Sequence, residues 1–418
     1  MRRWWPGVLA LLLVLALAVP HPGSGAASRE PEIRGVWLTL NDMATLRDRE
    51  RMREAVRQLR ALNFNTLYPV VWNGGYAYYR SDITRRMGLQ SFSFRGLQGQ
   101  DVLEELIEEA HAQGLLVIPW FEFGFMAPPT SELAVKQADW LTRKRDGGLT
   151  SVSAAGEVVW LNPFRSEVQR FIRDLVLEVV QRYDGDGIQF DDHMSLPRAF
   201  GYDPQTLALY KAATGRSDPG NPENPAWVKW RADRLTAFMA SLKQELETTR
   251  PGLRLSVSPN YHDFAYKLQL QDWLTWVRRG IADEVIVQLY RPDQASFEKE
   301  LARPELATSA ARIPTAVGVM SGQRGRGVPI QLVADQTRAL RSRGLGVAYF
   351  YFESLWQRSP EDPGLRKQAL LRLFPRPALR PRRVQARAPA PPPPPLPAGA
   401  PVSSPAGRPR LVPPPLLP

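Results

Sequence analysis

Cysteine is absent from the 418-residue chain, and only four histidines occur. That excludes disulfide frameworks, zinc–thiolate sites, iron–sulfur clusters, thiol nucleophiles and lipoprotein acylation together, and it leaves little imidazole for a metal centre. Long apolar runs are scarce too. The run Gly7–Val19 has 13 residues, short of the ~20 that a membrane-spanning helix needs. A glycine-rich phosphate turn is missing: the first strand candidate ends at Leu40 and runs into Asn41, Asp42 and Met43, which argues against a nucleotide-binding, doubly wound sheet. A basic face is missing as well. Of the formal charge of +12, seven units lie after residue 375 (Arg376, Arg380, Arg382, Arg383, Arg387, Arg408 and Arg410, with no acid) and two on Arg2 and Arg3, which leaves +3 on the residues between. Nucleic acid is not an expected partner, because its recognition needs cations clustered on the folded part.

What is present divides the chain into three. Arg2 and Arg3, the short apolar run and the small residues Gly23, Ser24, Gly25, Ala26 and Ala27 predict an export signal over residues 1–27. An uncleaved anchor with Trp4 and Trp5 at the interface is the alternative. Either places the body outside the membrane, secreted or periplasmic. Residues 376–418 carry sixteen prolines, including Pro391–Pro395, and predict a disordered or polyproline tail. Its arginines could make weak contact with anionic wall polymer or lipid headgroups.

Between them, residues 30–375 alternate strand and helix signals. Eight apolar, β-branched or aromatic runs read as strands: Ile33–Leu40, Asn65–Trp72, Leu115–Phe123, Gly187–Asp192, Arg254–Asn260, Glu284–Tyr290, Pro314–Met320 and Gly346–Phe352. The clearest helices are Arg47–Leu62, Asp101–Gln113, Ser166–Tyr183, Ala226–Thr249 and Ile330–Ser342. Eight such units predict an α/β fold, the (β/α)₈ TIM barrel. Three strand-to-helix connections are long, Asn73–Gln100, Gly124–Arg165 and His193–Pro225. In a barrel these emerge at the C-terminal face, where active sites lie.

The chemistry is therefore expected at strand ends. The segment Tyr183–His193 (YDGDGIQFDDH) is the strongest local signal. If Gln189 points inward, alternation also turns Asp191 and His193 inward, and two adjacent acids at a buried strand end are costly unless a ligand, hydrogen bonds or a charge compensates. Glu122 ends the third strand among Trp120, Phe121 and Phe123; apolar surroundings raise a carboxyl pKa, as a general acid at neutral pH requires. Glu353 ends the eighth in a similar setting. A carboxylate pair across an aromatic mouth is the apparatus of glycoside hydrolysis. Asp191 is assigned as nucleophile or stabilising carboxylate, Glu122 as general acid, Asp192 as orienting a loop or substrate hydroxyl, and Glu353 as the alternative acid. Trp72, Trp120, Tyr261, Tyr290, Tyr351 and Trp356 are expected to contact sugar rings, and Asn73, Gln189, His193, Asn260 and Gln288 to bind polar groups, whereas Trp37 and Tyr68 pack the barrel.

The strings EIRGVWLT (Glu32–Thr39), NFNTLYPVVWNGGYAYYRSD (Asn63–Asp82), WFEFGFM (Trp120–Met126), WLNP (Trp160–Pro163) and YDGDGIQFDDH resemble the YngK-like, glycosyl hydrolase-like family 10 of bacterial barrels. The likeness spans about Glu32 to Leu373, and FDD is its most specific element. It implies a secreted or periplasmic (β/α)₈ glycosidase, and some relatives are described as cutting peptidoglycan glycan strands. The common pattern has histidine before FDD and tyrosine after it; here Gln189 and His193 stand instead. Several retaining glycosidase barrels place the nucleophile at the position of Asp191 in a D-G-x-x-x-D fourth strand, which favours Asp191 over Asp192. The expected enzyme is a glycoside hydrolase of a cell-wall or extracellular polysaccharide, a monomer without metal or cofactor. Two alternatives are a non-catalytic carbohydrate-binding barrel and a metal-dependent hydrolase using Asp191, Asp192 and His193. The latter is disfavoured because His21 lies in the leader and His111 on a helix, leaving His193 and His262 near strand ends.

Overall fold

Hydrogen bonding between parallel strands carries the chain around a closed ring in the computed structural model, which describes residues 31–90, 99–153, 156–323, 326–357 and 359–382. The barrel strands are β1 (Arg34–Leu38), β2 (Thr66–Asn73), β3 (Leu116–Val117, resuming as Trp120–Phe121), β4 (Gly187–Asp191), β5 (Arg254–Ser258), β6 (Glu284–Gln288), β7 (Thr315–Met320) and β8 (Gly346–Phe350). Each pairs with the next, and β8 returns to β1 with Arg34 beside Val347. The (β/α)₈ barrel is thus established. β3 is interrupted at Pro119, which has no N–H to donate; its carbonyl still accepts from Gln189 N at 2.8 Å. The outer layer contains the expected helices at nearly the expected bounds, among them α1 (Arg49–Ala61), α2 (Val102–Ala112), α3 (Ser166–Arg182) and α4 (Pro225–Thr249). Their starts are chemically marked, Asp48 accepting from Glu50 N and Arg51 N, and Asp101 from Glu104 N. Among the described residues no helix is long and apolar enough to cross a membrane.

Side-chain size sorts the interior. Trp37, Tyr68 and Trp120 fill the barrel with Ile118, Ile286, Ala316 and Ala348, and the Trp37 ring lies 5.7 Å from Tyr68 and 6.2 Å from Trp120. Such rings need small neighbours. A Cβ on Gly35 would stand 2.6 Å from the Tyr68 ring, and one on Gly318 would stand 3.2 Å from Trp37. The packing expected of Trp37 and Tyr68 is present, but Trp120 belongs to the same plug and is no platform for a sugar. Gln189 is buried here too. It accepts from Trp37 Nε1 at 2.7 Å and donates to Ser256 Oγ at 2.9 Å, and Ser256 Oγ donates to Glu284 at 3.0 Å. Its amide is consumed by the core, so it is not available to substrate.

Glu284 is the bottom of this column and is fully buried, a position a carboxylate tolerates only with partners. Tyr68 OH donates to it at 2.8 Å, and the partner of opposite charge is Arg380, which also donates to Thr66 Oγ1 at 2.6 Å. The folded part therefore extends past the expected boundary at residue 375. Arg34 Nη1 bonds to the Arg376 carbonyl at 2.6 Å and Glu32 N to the Leu379 carbonyl at 2.9 Å. The expected export signal (1–27) and the tail from residue 383 onward lie outside the described residues. Removing one partner of a buried ion pair strands the other, at about 3–5 kcal/mol. Arg380→Ala and truncation after residue 375 are both expected to lower the melting temperature by several degrees, relative to truncation after residue 382, which keeps the pair. Coincident melting curves for all three would show that Arg380 contributes nothing to stability.

The long loops at the C-terminal face have structure of their own. Met126–Ala127, Thr150–Ser153 and Gly156–Trp160 form an antiparallel sheet, and the helix Pro204–Thr214 lies in the loop after β4. Asn162 of the WLNP string joins them, donating to Asp203 Oδ1 at 3.0 Å and to Thr206 Oγ1 at 2.8 Å.

Candidate active site

Asp191 is the last residue of β4, and the alternation that buries Gln189 inside the barrel places the Asp191 carboxyl one level higher, still nearly inaccessible. Beyond it the strand geometry stops. Its Oδ1 accepts from the backbone N–H of His193 at 2.9 Å, a turn that brings His193 back over the mouth. His193 thus reaches the site through this turn and not through continued strand alternation. Its Nδ1 lies 2.8 Å from the carbonyl oxygen of Glu122 and 3.1 Å from Asp191 Oδ1. Both atoms can only accept from it, so Nδ1 carries the proton.

Glu122 stands just past β3, where Glu122 N donates to the Trp72 carbonyl at 3.0 Å and Asn73 Nδ2 donates to Glu122 Oε2 at 2.5 Å. Burial, and then the charge of Asp191, push its carboxyl up to about 7. Burial also raises Asp191, to about 6, although the His193 charge and hydrogen bonds pull the other way. Both carboxyls are thus held above the ordinary carboxylate range, Glu122 the more so. Burial opposes a charge on His193 as well, but Asp192 and Asp191 outweigh it and hold the ring up to about 10.

Asp192 is gripped by amides. Asn260 Nδ2 donates to its Oδ2 at 3.0 Å, Gln269 Nε2 to the same oxygen at 3.1 Å, and Gln288 Nε2 to Oδ1 at 3.3 Å. Asn260 and Gln288, expected to meet sugar hydroxyls, are thereby engaged in fixing this acid. Tyr290 closes the far side, its ring 5.3 Å from Phe350 and its hydroxyl held well above the ordinary range by burial and then by Asp192, Asp191 and Glu122.

Two carboxyls on neighbouring strand ends at a barrel mouth, Asp191 buried and Glu122 half-buried, are acid–base apparatus, and the profile of the glycosyl hydrolase-like 10 family matches residues 32–339. The chain belongs to that family. It is accordingly an enzyme of the glycoside hydrolase class, with carbohydrate as substrate. Glycosyl hydrolase DigH of Escherichia coli (strain K12) is 26% identical over 324 residues, covering 68% of this chain and 70% of that protein. Among solved structures, the PgaB (BpsB) glycoside hydrolase domain from Bordetella bronchiseptica superposes with a TM-score of 0.59 at 15% identity, over 80% of this chain and 98% of that one. The α-L-fucosidase isoenzyme 2 from Paenibacillus thiaminolyticus gives 0.56 at 17%, over 81% and 48%. At such identities the two structures show the barrel alone.

Other expected site residues of this family member stand elsewhere. Trp72 faces outward, its ring 5.6 Å from Phe171 of α3 and its Nε1 on the Gly124 carbonyl. Trp356 is buried against Phe352, 4.9 Å away, beneath Lys367. Strand-end position in the sequence cannot tell an inward ring from one that packs on the helical layer. Tyr351 is buried behind the mouth beside Phe350, and Tyr261 lies under the Arg303 guanidinium at 4.1 Å. Glu353 forms its own cluster: its backbone N donates to Asp42 Oδ1 at 2.8 Å and Thr45 Oγ1 donates to its Oε1 at 3.2 Å. Burial, with a lesser push from Glu353, raises Asp42 to about 7.

Gln269 and Gln271 escape sequence analysis. Gln271 Nε2 donates to the Asp191 carbonyl at 2.8 Å, complementing Gln269 on Asp192. The only available signal was two amides flanking Leu270 at the end of a helical stretch, which does not by itself distinguish them from surface residues.

Proposed function

We propose that the enzyme hydrolyses O-glycosidic bonds of a cell-wall or extracellular polysaccharide, with peptidoglycan glycan strands the favoured substrate, and that it acts outside the cytoplasmic membrane. Asp191 is the nucleophile or charge-stabilising carboxylate, Glu122 the general acid, and Asp192 an anchor for the loop between β4 and α4. The observation that carries these roles is the placing of two carboxyls at the ends of neighbouring strands, Asp191 buried and tied through His193 Nδ1 to the peptide oxygen of Glu122, with burial pushing both above the ordinary carboxylate range. An acid that keeps its proton beside a carboxylate that has lost it is what glycosidic bond cleavage needs: one group protonates the departing oxygen while the other meets the developing positive charge at the sugar carbon. Extracellular action is supported by the export-like leader, and wall polymer by the family resemblance and the basic tail.

Incubation of the chain from residue 28 onward with stem-peptide-free and with intact peptidoglycan, followed by mass spectrometry of released fragments, tests the substrate. Fragments of whole disaccharide repeats are expected. Release from neither polymer, with cleavage of another glycan, would replace peptidoglycan and leave the carboxylate roles in place.

The chemistry is proposed to need no metal. Asp191, Asp192 and His193 bring one possible ligand atom each within 4.8 Å of one another, but both oxygens of Asp192 are taken by amides and His193 Nδ1 by a carbonyl. EDTA is expected to leave the rate unchanged. Complete loss of activity that zinc restores would instead assign the cluster to a cation.

A further inference from the structure

Glu122 lies beyond the last rung of the β3 ladder. Its N–H is bonded to β2, but the partner of its carbonyl oxygen is a side chain from the turn that follows β4, the imidazole of His193. The same Nδ1–H reaches Asp191 Oδ1 at 3.1 Å, so one proton is shared between the peptide oxygen of one reacting residue and the carboxylate of the other. The ring is held from several sides. Phe125 N donates to the His193 carbonyl at 3.1 Å, and the Phe123 ring is 5.5 Å away. Gly124 passes so close that a Cβ there would stand 2.4 Å from the His193 carbonyl oxygen. The segments 122–125 and 191–194 are therefore stapled together twice, once through this side chain and once through the backbone.

We propose that His193 is a positioning residue: its Nδ1–H, held between the Glu122 carbonyl and the Asp191 carboxylate, sets the spacing of acid and nucleophile across two strands. The proposal rests on the roles given above to Glu122 and Asp191. Three carboxyls face the ring, Asp191 and Asp192 from its own turn, the latter at 3.8 Å, and Glu122 from the end of β3; the Tyr290 phenol beyond β6 faces the same three carboxyls. A cation in that setting offsets adjacent negative charge, which neither a neutral hydrogen-bond donor nor a hydrophobic side chain could do.

His193→Ala removes both donor and charge, whereas His193→Asn keeps an N–H close to where Nδ1 sits and removes only the charge. His193→Ala is expected to lose about 10²-fold in kcat with KM little changed, since small displacements of a reacting group have costs of that order. His193→Asn should recover most of that loss, yet with the acid limb of its pH–rate profile raised by about one unit, the effect of losing one close opposite charge. A readout independent of turnover is the ¹⁵N resonance of the imidazole: both nitrogens should be protonated at pH 7, and Asp191→Asn should lower the ring's titration midpoint by more than one unit. A His193→Ala enzyme altered in KM alone would make His193 a substrate contact, and a ring indifferent to Asp191→Asn would overturn the inference whether or not glycan is cleaved. Coupling in the resonance spectra with no glycan cleaved would overturn the proposed function and leave the coupling standing.

Discussion

Asp191→Asn is expected to abolish measurable turnover while the barrel stays folded. General acid–base assistance alone contributes ~10²- to 10⁴-fold, about 3–5 kcal/mol of transition-state stabilisation at 1.36 kcal/mol per decade, and a carboxylate that meets the developing charge at the sugar carbon contributes at least that. The fold should survive because asparagine retains an oxygen for the two His193 donors that Asp191 Oδ1 now accepts. The neutral side chain also relieves a buried charge, so thermal stability should hold or rise. Turnover on released-fragment assays and a melting curve decide it together. Near-native activity of a well-folded Asp191→Asn enzyme would remove Asp191 from the chemistry and direct attention to Asp192.

Glu122→Gln is expected to separate substrates by leaving group. A departing oxygen that is already a stable anion needs no proton, so activated aryl glycosides should be nearly spared, while natural glycan should slow by the ~10²- to 10⁴-fold that general acid catalysis provides. Asn73 can still donate to the amide oxygen, so the loop should keep its place. The pH dependence follows from the directions of the shifts. Asp191 must lose its proton, so activity falls as the pH drops below about 6; Glu122 must keep its proton, so activity falls as the pH rises above about 7. The wild-type profile should be a narrow bell, and Glu122→Gln should lose the alkaline limb on activated substrates. Equal slowing of activated and natural glycosides would remove Glu122 from the acid role.

The strand-and-helix order was legible because each element reports itself locally: apolar residues at three- and four-residue spacing mark helices, and short β-branched runs mark strands. The acids were legible for a related reason. Asp191 and Glu122 are charged residues inside otherwise apolar strand ends, and burying them demands an explanation at that spot in the chain. Ring orientation was not legible. Trp72 and Trp120 both end strands, yet one faces α3 and the other fills the interior, and the interrupted third strand, with a register shift in its pairing to β2, separates alternation from sequence count.

By itself the sequence determined the barrel, the face on which its long loops gather and the two carboxyls assigned to the chemistry, because periodicity and the cost of a buried charge act residue by residue. Only the tertiary structure decided the partners of those charges. Asp192 meets Asn260, Gln269 and Gln288, His193 meets the Glu122 carbonyl, and Glu284 meets Arg380 from beyond the expected end of the domain. These pairs come from different strands and loops, some 96 residues apart in the chain. Compensation of a buried charge depends on distances of a few ångströms in space, and a one-dimensional spacing does not encode them.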